Sequence, residues 1–529
     1  VSLSLPHFPA APVWRRPTVA EIRANAIAGV VVGIIALPLA IALAVAVGVP
    51  PVAGLYTAIF AGAAAAIFGG SNYNITGPTA ALVPILAHVV LMHGAPALAM
   101  VGMMAGVLLL VMSILRAGRL MRFMPRLVVV GFTAGIALSI AFGQLNNLLA
   151  VQGTNPRLEH FHAKTWDTLS HLSSVEPTTP LVGLAALALL ILWPKLPRVS
   201  RIPGPLVAVV AVTAVTWGFH IDTPTVAARY GELPRSLPTP SLRFFDPGLL
   251  FDLIPVAVAV AVLGAVESLL CATVADGMAS PRVRYDPDRE LRGQGIANLV
   301  APLMGGIPAT AAIARTAAGI RSGATSRLTG VFHALTVLVV TLALGGLAGH
   351  IPLTVLAAIL LVVAWNIADV PEIRALVRRA PRADLGILFA TIAITLFFDL
   401  TYAIGFGVLA SAVLLLRQLI RIPAAQAMLP DETGRVAQVS PELSEMIRSR
   451  PDIAFFTAQG VLSFHSAAAF EYELMGADHR PLILRMKDVR QVDSSGMATL
   501  EGIIEHRQKA GGRLILTALQ PGVRTAREK

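Results

Sequence analysis

Most of this chain consists of apolar runs too long for a soluble core. Fourteen can be marked, at roughly 27–47, 52–69, 78–92, 97–115, 124–143, 180–194, 203–220, 249–271, 293–304, 311–321, 329–346, 352–366, 384–399 and 402–420. A helical crossing needs about 20 predominantly apolar residues. Only 13% of the 529 residues are charged and mean hydropathy is +0.73, whereas a soluble domain carries about 25% charge. The sequence therefore predicts an all-α polytopic membrane protein with fourteen segments, some too short to cross fully. The N-terminal stretch is polar and Pro-rich and the first apolar run is long enough to remain as a span, so no cleavable signal is expected. Cys271 is the single cysteine, which leaves no intrachain disulfide and no Cys-based metal cluster.

The net charge of +11 comes from arginines placed mainly in short loops, a topology signal rather than a nucleic-acid site. Arg15, Arg16 and Arg23 precede the first run. Basic clusters then recur in alternate loops: Arg116 to Arg126, Lys195 to Arg201, Arg282 to Arg292, Arg321 with Arg327, Arg374 to Arg382, and Arg417 with Arg421. Both ends are expected on the cytoplasmic side. Seven segments precede the linker at 221–248 and seven follow it. An odd number per repeat makes the second repeat inverted, and the third segment of each is short and broken by Gly and Pro, the pattern that points to a site at the interface of inverted repeats.

The two breaks are NYNITGPTAALVPIL, 72–86, and GGIPATAAIARTAAGIR, 305–321. Non-helical backbone at mid-membrane must line a cavity or be buried in protein. Gly77-Pro78 before Thr79 reads as a helix start, and Pro308-Ala309-Thr310 is assigned the same part in the second repeat. Each start offers free N–H groups and about half a positive charge, so two facing starts form an anion site. Two kinked spans without a ligand would give the same pattern.

Arg315 lies in the second broken helix with no acidic neighbour in sequence and must face a cavity or a partner. It is assigned fixed positive charge beside the site, or a bracing role against carbonyls of the other bundle. Glu267 ends an apolar span and is placed to exchange a proton or to hold a cation; permanent neutralisation of Arg315 is the alternative. Asp276, Asp286, Asp288 and Glu290 are read as loop charges, Asp399 as a solvated turn, and His88, His93, His333 and His350 as structural or interfacial. Asn298 is expected to bond a broken-helix carbonyl. No metal-ligand spacing, phosphate-cradling loop or nucleophile elbow occurs, so neither a metal, a cofactor nor an enzyme activity is expected.

From about 437 the composition changes. Short apolar runs, IAFFTA, GVLSF, PLILRM and GRLILTAL, alternate with amphipathic stretches, which describes a small cytoplasmic α/β domain. The expected division is a cytoplasmic segment at 1–26, a transmembrane domain at 27–421 with repeats at 27–220 and 249–421, and this last domain at 437–529.

ITGPTAALVPIL, GAVESLLCATVADGM, GQGIANLVAPLMGGIPATAAIARTAAGIRSGATSR and DSSG together resemble the SulP anion transporter family, the sulfate permeases and their relatives. The resemblance covers nearly the whole chain. It implies a seven-plus-seven inverted repeat divided into a core bundle (segments one to four and eight to eleven) and a gate bundle, half-helices at segments three and ten, and a C-terminal STAS domain. Carried over by residue, it places the anion site on Thr79, Ala80, Ala312, Ile313, Ala314 and Arg315, and the acidic coupling position on Glu267. Sodium-coupled members resemble this chain there but have Asp, a Thr at the place of Cys271 and hydroxyl residues at 311–313. AVESLL, ATAAIAR and VAWN resemble the bacterial dicarboxylic-acid transporters instead. Asp493-Ser494-Ser495-Gly496 matches a loop whose serine is phosphorylated in sigma-factor antagonists, at Ser494; Ser is also an ordinary helix cap. Only QPGVRTAREK follows GRLILTAL, so the last helix of a full STAS domain is expected to be missing.

The expected function is secondary active, proton-coupled uptake of C4-dicarboxylates such as fumarate or succinate across a bacterial cytoplasmic membrane. The partners are the small anion, protons, the lipid bilayer and, from the resemblance, a second copy in a homodimer; nucleic acid is excluded. Sulfate or bicarbonate transport, sodium coupling, an uncoupled anion channel and a sensor reporting through the last domain are the alternatives.

Overall fold

Thr18 opens the first long helix. Its hydroxyl accepts from Glu21 N (3.2 Å) while the Glu21 carboxylate takes the Thr18 N–H (2.8 Å), a reciprocal box that satisfies two orphan donors. Helix α1, Val19–Val47, then runs for 29 residues and closes at Gly48, whose φ of 93° is left-handed. The computed structural model describes residues 17–118, 126–155, 161–196, 202–232, 236–279, 284–379 and 382–397, scattered positions from 402 to 427, then 452–462, 481–492, 494–509 and 512–519, with a few isolated positions elsewhere.

After α1 come α2, Pro51–Phe68, with a π-helical turn at Thr57–Ala61, the two-residue strand β1, Thr76–Gly77, α3, Val83–His93, and α4, Ala95–Ile114. Helices α5, Arg126–Gly143, α6, Thr178–Leu192, and α7, Gly204–Gly218, complete the first repeat. The second contains α8, Leu250–Ala279, α9, Pro287–Leu303, strand β2, Thr310–Ala311, and α10, Ile313–Arg321. It continues through α11, Leu328–Leu344, α12, Leu353–Ala368, and α13, Arg382–Phe397. Thirteen of the fourteen expected segments are thus helical. The fourteenth, 402–420, lies largely outside the described residues. Among the described residues seven helices are long and apolar enough to cross a membrane, and four apolar ones are shorter.

Helix packing carries the repeat relation. α1 packs on α11, and seven helices further on α8 packs on α4; α4 on α9 corresponds to α11 on α2; α5 on α13 corresponds to α12 on α6. The pairs α2 with α9 and α5 with α12 map onto themselves. Exchanging the two halves therefore leaves these pairings unchanged, as a two-fold relation between repeats requires.

Small residues permit the close crossings. Gly106 of α4 and Gly295 of α9 face each other, and a Cβ on either would lie 2.9 Å from the other's carbonyl oxygen. Polar side chains pin the same core. Asn25, fully buried in α1, accepts from Thr325 N and Ser326 N (3.0 Å each) and from the Thr329 hydroxyl (2.7 Å), tying the first helix of one repeat to the loop before α11.

The chain divides into two compact units, Val1–Ser411 and Ala412–Lys529. In the second, the strands β3, Ala425–Ala427, β4, Ala454–Leu462, β5, Leu482–Val492, and β6, Leu514–Thr517, form one sheet in sequence order, with β4, β5 and β6 parallel and β3 antiparallel at the edge. Its core holds Phe456, Leu482, Leu484 and Met486 with Leu500 and Ile503 of helix α14, Ser494–Lys509. This is the small α/β domain expected from the alternating runs. Ser494 is the first residue of α14, and Asp493 lies outside the described residues.

Gly106→Val would drive a branched side chain into the α9 backbone, and overpacking of this kind costs about 1–3 kcal/mol. A lower thermal unfolding temperature in detergent, with Gly102→Ala as a milder neighbour on the same face, is the expected outcome.

Candidate functional site

Each broken segment is completed by the other repeat. β1 and β2 pair antiparallel, Thr76 opposite Ala311 and Gly77 opposite Thr310. The ladder extends one step further through Ala312 N to Ile75 O (2.9 Å). Here the structure corrects the sequence reading: Thr310 is strand, not helix start, and α10 begins at Ile313. On the other side Thr79 is still extended, a 3₁₀ turn covers Ala80–Leu82 and the α-helix starts at Val83. The physical reason is the unpaired backbone of a membrane-buried break, which two crossing strands satisfy and two abutting helix starts would not.

Around this crossing, side chains of α8, α9 and α10 supply the remaining partners. Ser268 Oγ accepts from Ala311 N (3.2 Å) and Ser268 O accepts from Asn74 Nδ2 (3.1 Å). Thr316 Oγ1 accepts from Ile75 N (3.0 Å), and the Cys271 thiol donates to that hydroxyl (3.3 Å). Asn298 holds the second break as expected, Nδ2 to Ala309 O and Ala309 N to Oδ1, both 2.9 Å. Thr57, at the π-helical turn, accepts from Ile307 N (2.7 Å).

Glu290 is not a loop charge. It is buried in the first turn of α9, where its two carboxylate oxygens accept from Gly70 N (2.9 Å), Ser71 N (2.8 Å), Asn74 Nδ2 (2.8 Å) and Gln294 Nε2 (3.0 Å). Gln294 Nε2 also reaches Thr76 Oγ1 (2.8 Å). A carboxylate in helix α9 thereby shapes the whole approach to β1. Asp276 belongs to α8 and accepts from Tyr285 N (2.9 Å), and Asp286 caps α9. Arg327, grouped with the loop arginines, is buried and donates to Gly69 O (3.0 Å). Asp399 lies outside the described residues.

At the centre, Glu267 Oε2 accepts from Thr310 Oγ1 (2.6 Å) and Thr79 Oγ1 (3.2 Å), and the two hydroxyls are 3.0 Å apart. One residue from each break thus meets the carboxylate of α8. Arg315 is 2% exposed; its guanidinium donates to Pro78 O and makes no salt bridge with Glu267. Gly77 is what lets it in, since a Cβ there would stand 2.5 Å from Arg315 Nη1. Bracing is therefore part of what Arg315 does, against the first break rather than the other bundle. Neither helix start carries a side-chain cap, so N–H groups of both first turns remain available to a ligand.

Thr79, Ala80, Ala312, Ile313, Ala314, Arg315 and Glu267 all border one cavity of about 590 Å³. Sequence reasoning brought these seven together and missed Thr310, Ser268, Gln294 and Glu290. The one available signal for Thr310 was its place opposite Thr79 in the second break. Among the described residues no cluster of His, Cys, Asp and Glu could hold a metal ion.

Residues 22–391 match the Sulfate permease family and residues 446–529 match the STAS domain. The chain belongs to the sulfate permease family. The Bacillus subtilis (strain 168) protein named "Putative sulfate transporter YvdB" is 38% identical over 509 residues, 94% of this chain and 92% of that protein. The bicarbonate transporter BicA of Picosynechococcus is 30% identical over 505 residues, 92% of this chain and 86% of BicA. Among solved structures, SLC26A9 superposes with a TM-score of 0.80 at 19% identity, covering 96% of this chain and 86% of that one. The transmembrane domain of a cyanobacterial BicA gives 0.65 at 30% identity, covering 73% and 98%. This sulfate permease homologue is a multi-pass membrane protein that transports anions, and it is not an enzyme.

Two outcomes test the construction of the site. Gly77→Ala should displace the guanidinium from Pro78 O and slow anion uptake by about 10- to 100-fold, the usual scale for misplacing a binding group by an ångström. Glu290→Ala removes the acceptor of two backbone and two amide donors, each costing about 1–3 kcal/mol when buried unpaired; a large drop in unfolding temperature, partly restored in Glu290→Gln, is expected.

Proposed function

We propose that this protein is a secondary active transporter that takes up C4-dicarboxylates such as fumarate or succinate together with protons, by alternating access. The observation that carries the reading is the placement of Glu267 at the meeting point of both breaks, on the wall of the cavity to which their helix starts contribute. A substrate carboxylate would accept from the free N–H groups of the two first turns, at Ala80 and at Ile313 to Arg315, where the helix dipoles favour an anion. Arg315, fixed against Pro78 O, adds charge from beneath.

An ionised Glu267 beside that position repels the incoming anion. Protonation removes the repulsion, so anion and proton favour each other's binding by the same factor. The cavity holding the anion is then less charged and better able to move through a low-dielectric path. Thr79 and Thr310 can turn their hydroxyls to accept from a protonated Glu267 or to donate to an ionised one. One carboxylate and two hydroxyls, with apolar side chains at 311–313, make a poor sodium cage compared with the six or so oxygens that a hard cation takes. That favours the proton.

The cavity also borders Arg321, Asp369 and Glu372, on the side whose loops carry the arginines. By that charge bias it opens to the cytoplasm of a bacterial cell, with both termini there and the inner membrane as the location. Domain limits near 27–421 and 437–529 and a homodimer belong to the same reading. Ser494, the first residue of α14, is the candidate phosphorylation position, and mass spectrometry of the purified protein tests it.

In liposomes, uptake of labelled fumarate should saturate, show counterflow and accelerate when the outside is made acidic. Glu267→Gln should keep exchange of fumarate for fumarate and lose the response to the gradient. Uptake indifferent to the gradient removes the proton; acceleration by a sodium gradient instead moves coupling to that ion. Sustained unitary currents would make the protein a channel.

A further inference from the structure

The walls of the cavity bear on which anions it takes. From Ile313 to Arg321, both on its lining, α10 rises about 12 Å, so the space extends well beyond the two helix starts. Its volume of about 590 Å³ lies among pockets that hold drug-sized organic ligands, about 300–1,000 Å³. The donors that a ligand at the helix starts would meet are the free N–H groups there, with the Arg315 guanidinium already engaged by Pro78 O. Thr133 donates its hydroxyl to Val130 O (3.1 Å), and Arg321 and Asn366 border the cavity at the far ends of α10 and α12. Leu39 and Leu43 of α1, Phe132 of α5, Val266 of α8 and Ile367 of α12 line the same cavity. Ile313, the first residue of α10, leaves 37% of its surface exposed on that lining.

A sulfate or bicarbonate ion is hydrophilic on every side. Entering here, it would satisfy the oxygens that face the helix starts and leave the others against hydrocarbon, unpaired and desolvated. A carboxylate joined to an apolar body has the complementary shape. Its charged end meets the N–H groups and its body covers the side chains that the cavity otherwise leaves wet. Each buried methylene adds to binding, with no further donor needed.

We propose that the recognised unit at this site is one carboxylate carrying an apolar body, and that such organic anions are selected over inorganic oxyanions. The second carboxylate of a C4 substrate is then dispensable, and Ile313 and Val266 set the preference. This rests on the reading of the cavity as the anion site and narrows what that site accepts.

The test is inhibition of labelled fumarate uptake, and direct calorimetric binding to protein in lipid nanodiscs, by acetate, butyrate, hexanoate, benzoate, sulfate and bicarbonate. Affinity should rise about fourfold per added methylene and benzoate should bind, while sulfate and bicarbonate at a hundredfold excess leave hexanoate in place. Ile313→Ser and Val266→Ser, on two different helices, should each flatten the series; partition into lipid would be the same in both variants, so an unflattened slope counts against the proposal. A flat series, or displacement of hexanoate by equimolar sulfate, overturns it. Should fumarate not be carried while hexanoate binds with the rising series, the dicarboxylate reading falls and this one stands. Fumarate carried with a flat series gives the reverse. If one variant fails to fold, as judged by its elution and melting profile, the other decides.

Discussion

Everything at the centre of this protein depends on two strands crossing inside the membrane. A helix broken in lipid exposes N–H and C=O groups that cost several kcal/mol each when unpaired. Here the first break is paired by β2, by Ser268 and Thr316, and at its approach by Glu290, all from the second repeat. The second break leans on β1 and on Thr57 of the first repeat. Neither half can satisfy its interruption alone. The repeats must therefore fold onto one another before either half-helix can point its N-terminus anywhere, and the proposed anion site is a product of their meeting rather than a property of either.

That dependence explains what the sequence reveals and what it hides. The interruptions are visible because Asn, Gly, Pro and Thr stand out in an apolar run, and Asn298 is legible as a lone amide next to one of them. Glu267 is visible for the same reason. Glu290 is hidden: RVRYDPDRELRG has the composition of a solvated loop, and burial of its glutamate follows from a partner loop some 220 residues earlier. The strand at Thr310 is hidden too, since two residues carry no periodicity. α9 begins at Pro287, six residues before the apolar run that marked it, because a buried network replaces hydrophobicity in its first two turns. What is local in the chain could be read; what arises where the halves touch could not.

The same contrast separates the two bundles. Within the core, polar side chains lock the breaks and Asn25 fastens α1 to the loop before α11. Toward the gate, Leu39 of α1 joins the apolar cluster of Val355, Ala358 and Ile359 on α12. Hydrogen bonds have narrow geometry, whereas apolar packing between helices is non-directional. A body held by the first and bounded by the second is suited to move as a unit.

Such a division also bears on how an anion could be carried without leaking. A polar lining throughout would hydrate a continuous path, and a site held open on both sides conducts. The helix starts, Glu267 and the two threonine hydroxyls meet at one level, Arg321, Asp369 and Glu372 border the cavity at the ends of their helices, and Leu39, Leu43 and Phe132 add apolar wall. Under the proposed alternating access, a rigid core sliding along such walls would turn the side chains that border the open cavity into the seal behind the ligand, with water excluded at no cost in unmade hydrogen bonds. The apolar character of the cavity and the polar lock of the core are then two halves of one requirement: the site must keep its shape while its surroundings change.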